Sequence, residues 1–388
     1  MRVFDRFDDA RGWSEEERIL LDQVQRLADE VIAPNAERFD REAAFPWENV
    51  EAIRALGLGA IFVPADYGGA PMSYRAYLEC MKLISEACAA TGIIYGTCFH
   101  AMGPVIDFGT EELKTRIMPR VADGAICSLA ITEPGAGSDA TGMKTRFSPD
   151  GDEVVIDGGK IFITSGDVAD LILLFGKWSE IDDDRGAITA LVLEKGAPGF
   201  AVERTEDKMG IRASSTAVLS FDDCRVPRGN LVGEPGGGLS LLLLSLNKSR
   251  PSIASHALGI ADAAFKDMVA FMNDRRQSGR RIVDFQGNQF MLADLAAELA
   301  MVKAWIDHVG RLVDGGAGEY GVEASIAKLR ASDLAMRMTT EAVQMHGGYG
   351  YCKDFRVERL MRDAKITQIW EGTNQIHRQF IGRSFARR

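Results

Sequence analysis

Ala130-Ile131-Thr132-Glu133-Pro134-Gly135-Ala136-Gly137-Ser138-Asp139 stands where the chain changes character. Before it, from Trp13 to about Pro119, the pattern is mostly helical. Ser14 and Glu17 have capping-box spacing ahead of an amphipathic stretch with Ile19, Leu20, Val24, Leu27 and Val31 on one face. A further apolar helix is expected at about 77–90, then a small-residue stretch, Thr91-Gly92-Ile93-Ile94-Tyr95-Gly96. Its glycines read equally as close helix packing or as room for a ligand. After the motif, to about Val232, the residues favour strands at 154–156, 161–164, 171–175, 188–193 and 217–221. Turn signals, among them Gly158-Gly159 and Asp182-Asp183-Asp184, separate them. Short strands at this spacing predict a small barrel or sandwich.

Gly236-Gly237-Gly238 opens a last section that is helical again, with stretches expected at about 251–276 and 323–345. Leu292, Leu295, Leu299, Val302, Ile306, Val309 and Val313 recur in steps of three and four, which predicts a long amphipathic helix with a coiled-coil-like seam. The seam serves either a second copy of the chain or the core of its own bundle. The fold class is therefore α+β and multidomain. It comprises an N-terminal α-helical domain (1–126), a middle β-barrel or sandwich domain (127–238) and a C-terminal four-helix bundle (239–388).

Composition narrows the function. The 388 residues are 46% hydrophobic and 26% charged, as in an ordinary globular protein. A net charge of −11 argues against a general nucleic-acid binder. The longest apolar run, 239–246, is too short to span a bilayer, and the acidic N-terminus shows no targeting peptide. The six cysteines form no CxxC pair and no metal-binding spacing with histidine, so no metal site is expected and the thiols point to a reducing compartment. A cytoplasmic protein is expected.

Four segments carry chemistry. In the motif at 130–139, glycines let backbone N–H groups approach a phosphate or a ring edge, while Thr132 and Ser138 add hydroxyls. A surface turn would use the same residues. Phe162-Ile163-Thr164-Ser165-Gly166 is a strand ending in hydroxyls, and Gln344-Met345-His346-Gly347-Gly348-Tyr349-Gly350-Tyr351 is a helix ending in paired glycines. Ile369-Trp370-Glu371-Gly372-Thr373-Asn374-Gln375 sets one carboxylate in apolar company just before a helix start capped by Thr373 or Asn374. Desolvation there would raise the Glu371 pKa toward that of a useful general base, and an ordinary exposed glutamate in a turn would use the same residues.

Together the four segments resemble the acyl-CoA dehydrogenase family of flavoproteins, over essentially the whole chain. The resemblance implies FAD and assigns residues to it. Thr132 and Thr164 would bond the flavin ring, Phe162 would pack on it where many relatives have Trp, and Leu129, Ile131 and Gly137 would lie alongside. Ser138 would sit near the phosphates and CoA. Arg275 would reach the pyrophosphate across a subunit interface, with Gln286 a further contact. Gln344, Gly347 and Gly348 would hold the adenosine end, and Thr373 and Gln375 would be nearby. Asn247, Arg250, Gly372 and Arg383 would contact the acyl-CoA. Ser278 stands where relatives usually carry Phe, which removes a packing surface for the adenine.

The resemblance makes Glu371 the α-proton base, with the β-hydride passing to flavin N5 and electrons to an electron-transferring flavoprotein. Some members supply the base from the helix that here carries Ser249, which cannot act as a carboxylate. The product would be a trans-2-enoyl-CoA, as in fatty-acid β-oxidation, and the assembly a homotetramer. An oxidase, a reductase or a desulfinase-like enzyme on the same scaffold is the alternative, and a non-catalytic helical scaffold is a reading from another class. Gly92 and Gly96 are taken as room for a medium, branched or cyclic acyl group. With no arginine in 91–102, dicarboxylyl substrates are disfavoured.

Overall fold

The structure, a computed structural model, describes residues 2–386. Seven helices come first: α1 (Arg2–Asp9), α2 (Glu15–Leu27), α3 (Ala33–Glu42), α4 (Trp47–Ala55), α5 (Tyr74–Ala87), α6 (Ala89–Phe108) and α7 (Glu111–Ala122). The capping box starts α2 as expected: Ser14 Oγ accepts from Glu17 N at 3.1 Å, and Glu17 Oε2 from Ser14 N at 2.9 Å. Leu20, Leu21 and Val24 form its buried face, while Ile19 points to solvent.

The expected small-residue stretch lies inside α6, which the sequence pattern does not separate from its surroundings. Its glycines are packing surfaces. A Cβ at Gly92 would come within 2.1 Å of Ser85 Oγ, and one at Gly96 within 2.6 Å of Met81 Cε, so both glycines let α6 close on α5. By length and composition α6 could cross a membrane, unlike the 239–246 run, but 89% of the qualifying window is buried inside the protein. It is the central helix of the N-terminal part.

Eight strands follow: β1 (Cys127–Ala130), β2 (Arg146–Asp150), β3 (Glu153–Thr164), β4 (Leu171–Trp178), β5 (Ile188–Glu194), β6 (Phe200–Thr205), β7 (Thr216–Pro227) and β8 (Leu231–Val232). They form one connected sheet in the order β6-β7-β3-β2-β4-β5-β8, with β1 parallel to β4. The two strands expected at 154–156 and 161–164 are a single strand. Gly158-Gly159 is no turn but an irregularity in the β3–β7 ladder, where a Cβ on Gly158 would lie 2.8 Å from Thr145 Cα. Alternation sorts β4 between two cores. Ile172 and Leu174 face the sheet interior with Phe147, Ile156 and Leu219, whereas Leu171, Leu173 and Phe175 pack with Met102, Leu113 and Ile117 of α6 and α7.

Five helices complete the chain: α8 (Gly238–Asp274), α9 (Gln286–Asp314), α10 (Gly321–His346), α11 (Val357–Ile366) and α12 (Asn374–Ser384). α8 begins 13 residues before Pro251, earlier than expected, and carries that proline in its interior. The α9 seam is mainly intrachain core: Leu295, Leu299, Val302, Ile306 and Val309 are buried against the other helices. A salt-bridged junction fixes the β domain against the helices. Asp40 of α3 accepts two bonds from Arg362 of α11 at 2.7 and 3.1 Å, and its carbonyl accepts from Arg212 of the β domain at 3.1 Å. Next to it the buried Asp363 carboxylate takes the N–H of Ile211 at 2.5 Å.

Candidate active site

Three elements bring the first cluster together. Glu371 lies in the turn between α11 and α12, with φ +51°, and Gly372 follows with φ +91°. Left-handed backbone at a residue with a Cβ is strained by about 1–3 kcal/mol, so the surroundings must impose it. They do so through four residues. Thr373 Oγ1 caps α12 by accepting from Ile376 N at 3.3 Å. Lys328 of α10, fully buried, donates to Gly372 O at 2.7 Å and to Asn374 Oδ1 at 3.0 Å. Asn374 donates in turn to Ser332 and Asp333 of α10 at 2.9 and 2.8 Å. The His377 ring lies beneath, 3.1 Å from where a Cβ on Gly372 would be.

So held, the Glu371 carboxylate accepts a hydrogen bond from Ser249 Oγ of α8 at 2.5 Å. The apolar setting expected from its neighbours is corrected here, because Ile369 turns outward, 49% exposed. The carboxylate instead faces a hydroxyl, with Arg250, Lys328 and His100 close enough for its charge to favour their protonated forms. Burial outweighs that help and brings Lys328 down to about 7, from an ordinary 10.5. Burial likewise pushes His100 below its usual range. Arg250 Nη1 donates to Asn247 Oδ1 at 3.1 Å and Ser325 Oγ at 3.4 Å, so the two α8 residues expected at the substrate are coupled to each other next to the carboxylate. Arg383 is exposed at the end of α12.

A second cluster joins the loop after β1 to the end of β3. Ile161 N donates to Thr132 O at 2.9 Å, and Ser128 Oγ donates to Thr164 O at 2.7 Å. The Glu133 carboxylate pins the loop from below, accepting from Lys144 N, Thr145 N and Lys160 Nζ at 2.5, 3.0 and 2.6 Å. Burial pushes the Lys160 ammonium down to about 8 even with that partner. Phe162 takes φ +60° and stands 61% exposed, an aromatic face turned out of the sheet. Leu129, Ile131, Thr132 and Thr164 around it are half-buried, and the Ser165 hydroxyl is buried without a partner. Gly137 and Ser138 are exposed on the loop, open to a ligand from solvent. An open aromatic face beside hydroxyls and one unpaired buried oxygen fits the flavin ring that the resemblance implies.

The remaining expected contacts lie elsewhere. Arg275, just past α8, places its guanidinium 5.5 Å from the Tyr349 ring, close to exposed Gln344, Gly347 and Gly348 at the end of α10. Gln286 opens α9, and Gln375 is exposed on α12. The 26 residues from Ser249 to Arg275 span about 39 Å along α8, so the structure does not bring Arg275 to the Glu371 cluster. Ser278 and Gly279, with φ +50° and +76°, make the two-residue turn of a hairpin, a backbone that Ser accepts more readily than a bulky side chain. Sequence reasoning missed Lys328, His100 and His256, and read Asn374 only as a possible helix cap. A lysine within a helix reads as solvated, and the signal available was only that Ala327, Ala331 and Ala335 put small residues all around it.

Comparison with known proteins gives matches along the length of the chain. Three family profiles match in order: the acyl-CoA dehydrogenase N-terminal domain over residues 14–125, the middle domain over 128–224 and the C-terminal domain over 236–386. The short-chain-specific acyl-CoA dehydrogenase of Clostridium acetobutylicum is 38% identical over 368 residues, covering 94% of this chain and 97% of that one. The butyryl-CoA dehydrogenase structure from Megasphaera elsdenii superposes with a TM-score of 0.94 at 34% identity, over 97% and 99% of the two chains. A chain from the work on the electron transferring flavoprotein of Acidaminococcus fermentans gives a TM-score of 0.94 at 37% identity, with the same coverage.

Replacing Lys328 with Met would leave Gly372 O and Asn374 Oδ1 without their partner, at a cost of about 1–3 kcal/mol. The deficit should depend on pH. The folded chain releases the Lys328 proton near 7 and the unfolded chain near 10.5, so wild type gains stability as pH rises between them. Urea midpoints should therefore separate wild type from Lys328→Met more widely at pH 9 than at pH 6.5. A gap that stays constant or narrows contradicts the assignment.

Proposed function

The chain belongs to the acyl-CoA dehydrogenase family, FAD-dependent oxidoreductases that act on acyl-CoA, and on that premise we propose that Glu371 is the base that takes the α-proton of the thioester. The observation that carries this is the strained turn that aims one carboxylate at Ser249 on the neighbouring helix. The α-hydrogen of a thioester is weakly acidic, so a base must be held within hydrogen-bond reach of it and the developing enolate oxygen must be stabilised. Glu371 meets the first need through its carboxylate and offers its backbone N–H for the second. Ser249, a donor to the carboxylate, orients it. Asn247 and Arg250 bind the acyl-CoA beside it.

FAD, when bound, supplies the two-electron acceptor for the β-hydrogen, which leaves with its electron pair as the proton goes to Glu371. Phe162 would pack on its ring, Thr132 and Thr164 would bond the ring edge, and Ser138 would meet its phosphates. The electrons pass on to an electron-transferring flavoprotein, a reading supported by the flavoprotein work that yielded one of the similar chains.

The site is completed by a second copy in a homotetramer. What supports this is the distance of Arg275 from Glu371 along α8, together with Phe290 and Met301, large apolar side chains more than 60% exposed on the outer face of α9. Sedimentation of the FAD-loaded protein should give a tetramer, and Arg275→Ala should weaken FAD retention. A monomer that keeps its FAD contradicts the shared site.

Anaerobic titration of the yellow protein with saturated acyl-CoA thioesters should bleach the flavin, and Glu371→Gln should slow bleaching at least ~100-fold while the protein stays yellow. Yellow wild-type protein that no saturated thioester bleaches would move the function to a reductase or desulfinase-like enzyme. Protein that takes up no FAD would overturn the enzymatic reading.

A further inference from the structure

The face that α6 and α8 present next to Glu371 is not a plain alkyl slot. Along α8, Ser249 and His256 are seven residues apart and so lie on one side, two turns from each other. Ser249 reaches the Glu371 carboxylate. His256 meets the Trp370 ring edge-on with centroids 5.5 Å apart, and Trp370 is the residue before Glu371. From α6, His100 shares a small cavity with Phe99, Gly103, Ser245 and Ser249. His100 and His256 are both buried.

Each of these three rings carries a polar atom that is buried and has no partner: His100 Nε2, His256 Nδ1 and Trp370 Nε1. The tautomer of His256 follows from its other nitrogen. His256 Nε2 lies 2.8 Å from Ala89 O, a carbonyl that can only accept, so the proton is on Nε2 and Nδ1 presents a lone pair. Trp370 Nε1 can only donate. One unpaired acceptor and one unpaired donor therefore sit on two rings in contact. Burial, with the neighbouring His100 adding to it, brings His256 down to about 4, which keeps the ring neutral at physiological pH.

We propose that this face selects acyl-CoA substrates whose acyl chain carries a hydroxyl group, which donates to His256 Nδ1 and accepts from Trp370 Nε1. The inference rests on the dehydrogenase reading, since it takes the acyl chain to run from Glu371 along this face. A hydroxyl satisfies both atoms at once, donating to one and accepting from the other. A carbonyl cannot donate to Nδ1, and a carboxylate would be buried with no cation beside it, since both histidines are neutral. An alkyl chain would expel water and leave the buried atoms unpaired, and sites built to bond a substrate hydroxyl reject the analogue that lacks it.

The test compares straight-chain acyl-CoA thioesters with and without a terminal hydroxyl, in pairs of matched length, by anaerobic flavin bleaching and by kcat/KM with an artificial electron acceptor. In the wild type the hydroxylated member of at least one pair should be preferred ~10-fold or more. His256→Leu should bring that preference to within about threefold, while His256→Asn, which keeps a polar group, should retain part of it. A wild type that turns over the alkyl member as well or better at every length overturns the proposal without any variant. A preference that survives His256→Leu also overturns it. Bleaching by the alkyl members alone leaves the dehydrogenase reading intact, whereas bleaching by no member of any pair overturns that reading too.

Discussion

The left-handed turn at Glu371 and Gly372 is the constraint on which the site depends. A residue with a Cβ does not stay at φ +51° unless its neighbours leave no better choice. Here three helices supply the restraint. α10 contributes Lys328, whose ammonium bonds the Gly372 carbonyl, and α12 contributes its N-cap Thr373 and Asn374. α8 contributes Ser249, which meets the carboxylate from the other side. No single element would place the carboxylate. The long bundle matters because only stiff, mutually packed helices can fix groups from three chain regions to within hydrogen-bond tolerance.

The β domain holds the other half of the site, and it is tied to the bundle at points rather than along a shared sheet. Asp363 takes the Ile211 N–H, and Gly210 lies so close to α11 that a Cβ would meet Arg362 O at 2.3 Å. Asp40, Arg212 and Arg362 close the junction with charge-assisted hydrogen bonds. Burial pushes the Asp363 carboxyl up to about 6, and the Ile211 N–H opposes this by favouring the charged form. The outward face of β4 packs directly on α6 and α7, so the β domain is held to the helices by apolar packing as well as by these bonds.

Much of this could be read from the residues, for reasons that differ by element. The strand-rich middle was legible because alternation and turn signals are local, and β4 and β5 fall where expected. Gly158-Gly159 misled because a glycine pair marks either a turn or a close approach, and only the position of Thr145 decides between them. The glycines of α6 posed the same choice and resolve the same way, against Ser85 and Met81, so they serve helix packing rather than the room for a medium, branched or cyclic acyl group read from them. Glu371, Ser249, Asn247 and Arg250 were legible through the family resemblance. Lys328, His100 and His256 were not, because a charged or polar side chain in a helix gives no sign of which way it faces until its neighbours are in place.

That one carboxylate, fixed at a single point opposite Ser249, serves as the base is tested most directly by moving it. Ser249 Oγ and Glu371 Oε2 are 2.5 Å apart, so a glutamate grown from position 249 can reach the region that the Glu371 carboxylate now occupies. The measurement is substrate-dependent bleaching of the FAD-loaded protein by saturated acyl-CoA in Glu371→Gly and in the double variant Glu371→Gly with Ser249→Glu. The single variant should be inert and the double variant should recover bleaching. A double variant that binds FAD and acyl-CoA yet stays inert, or a single variant that bleaches like wild type, would contradict the account.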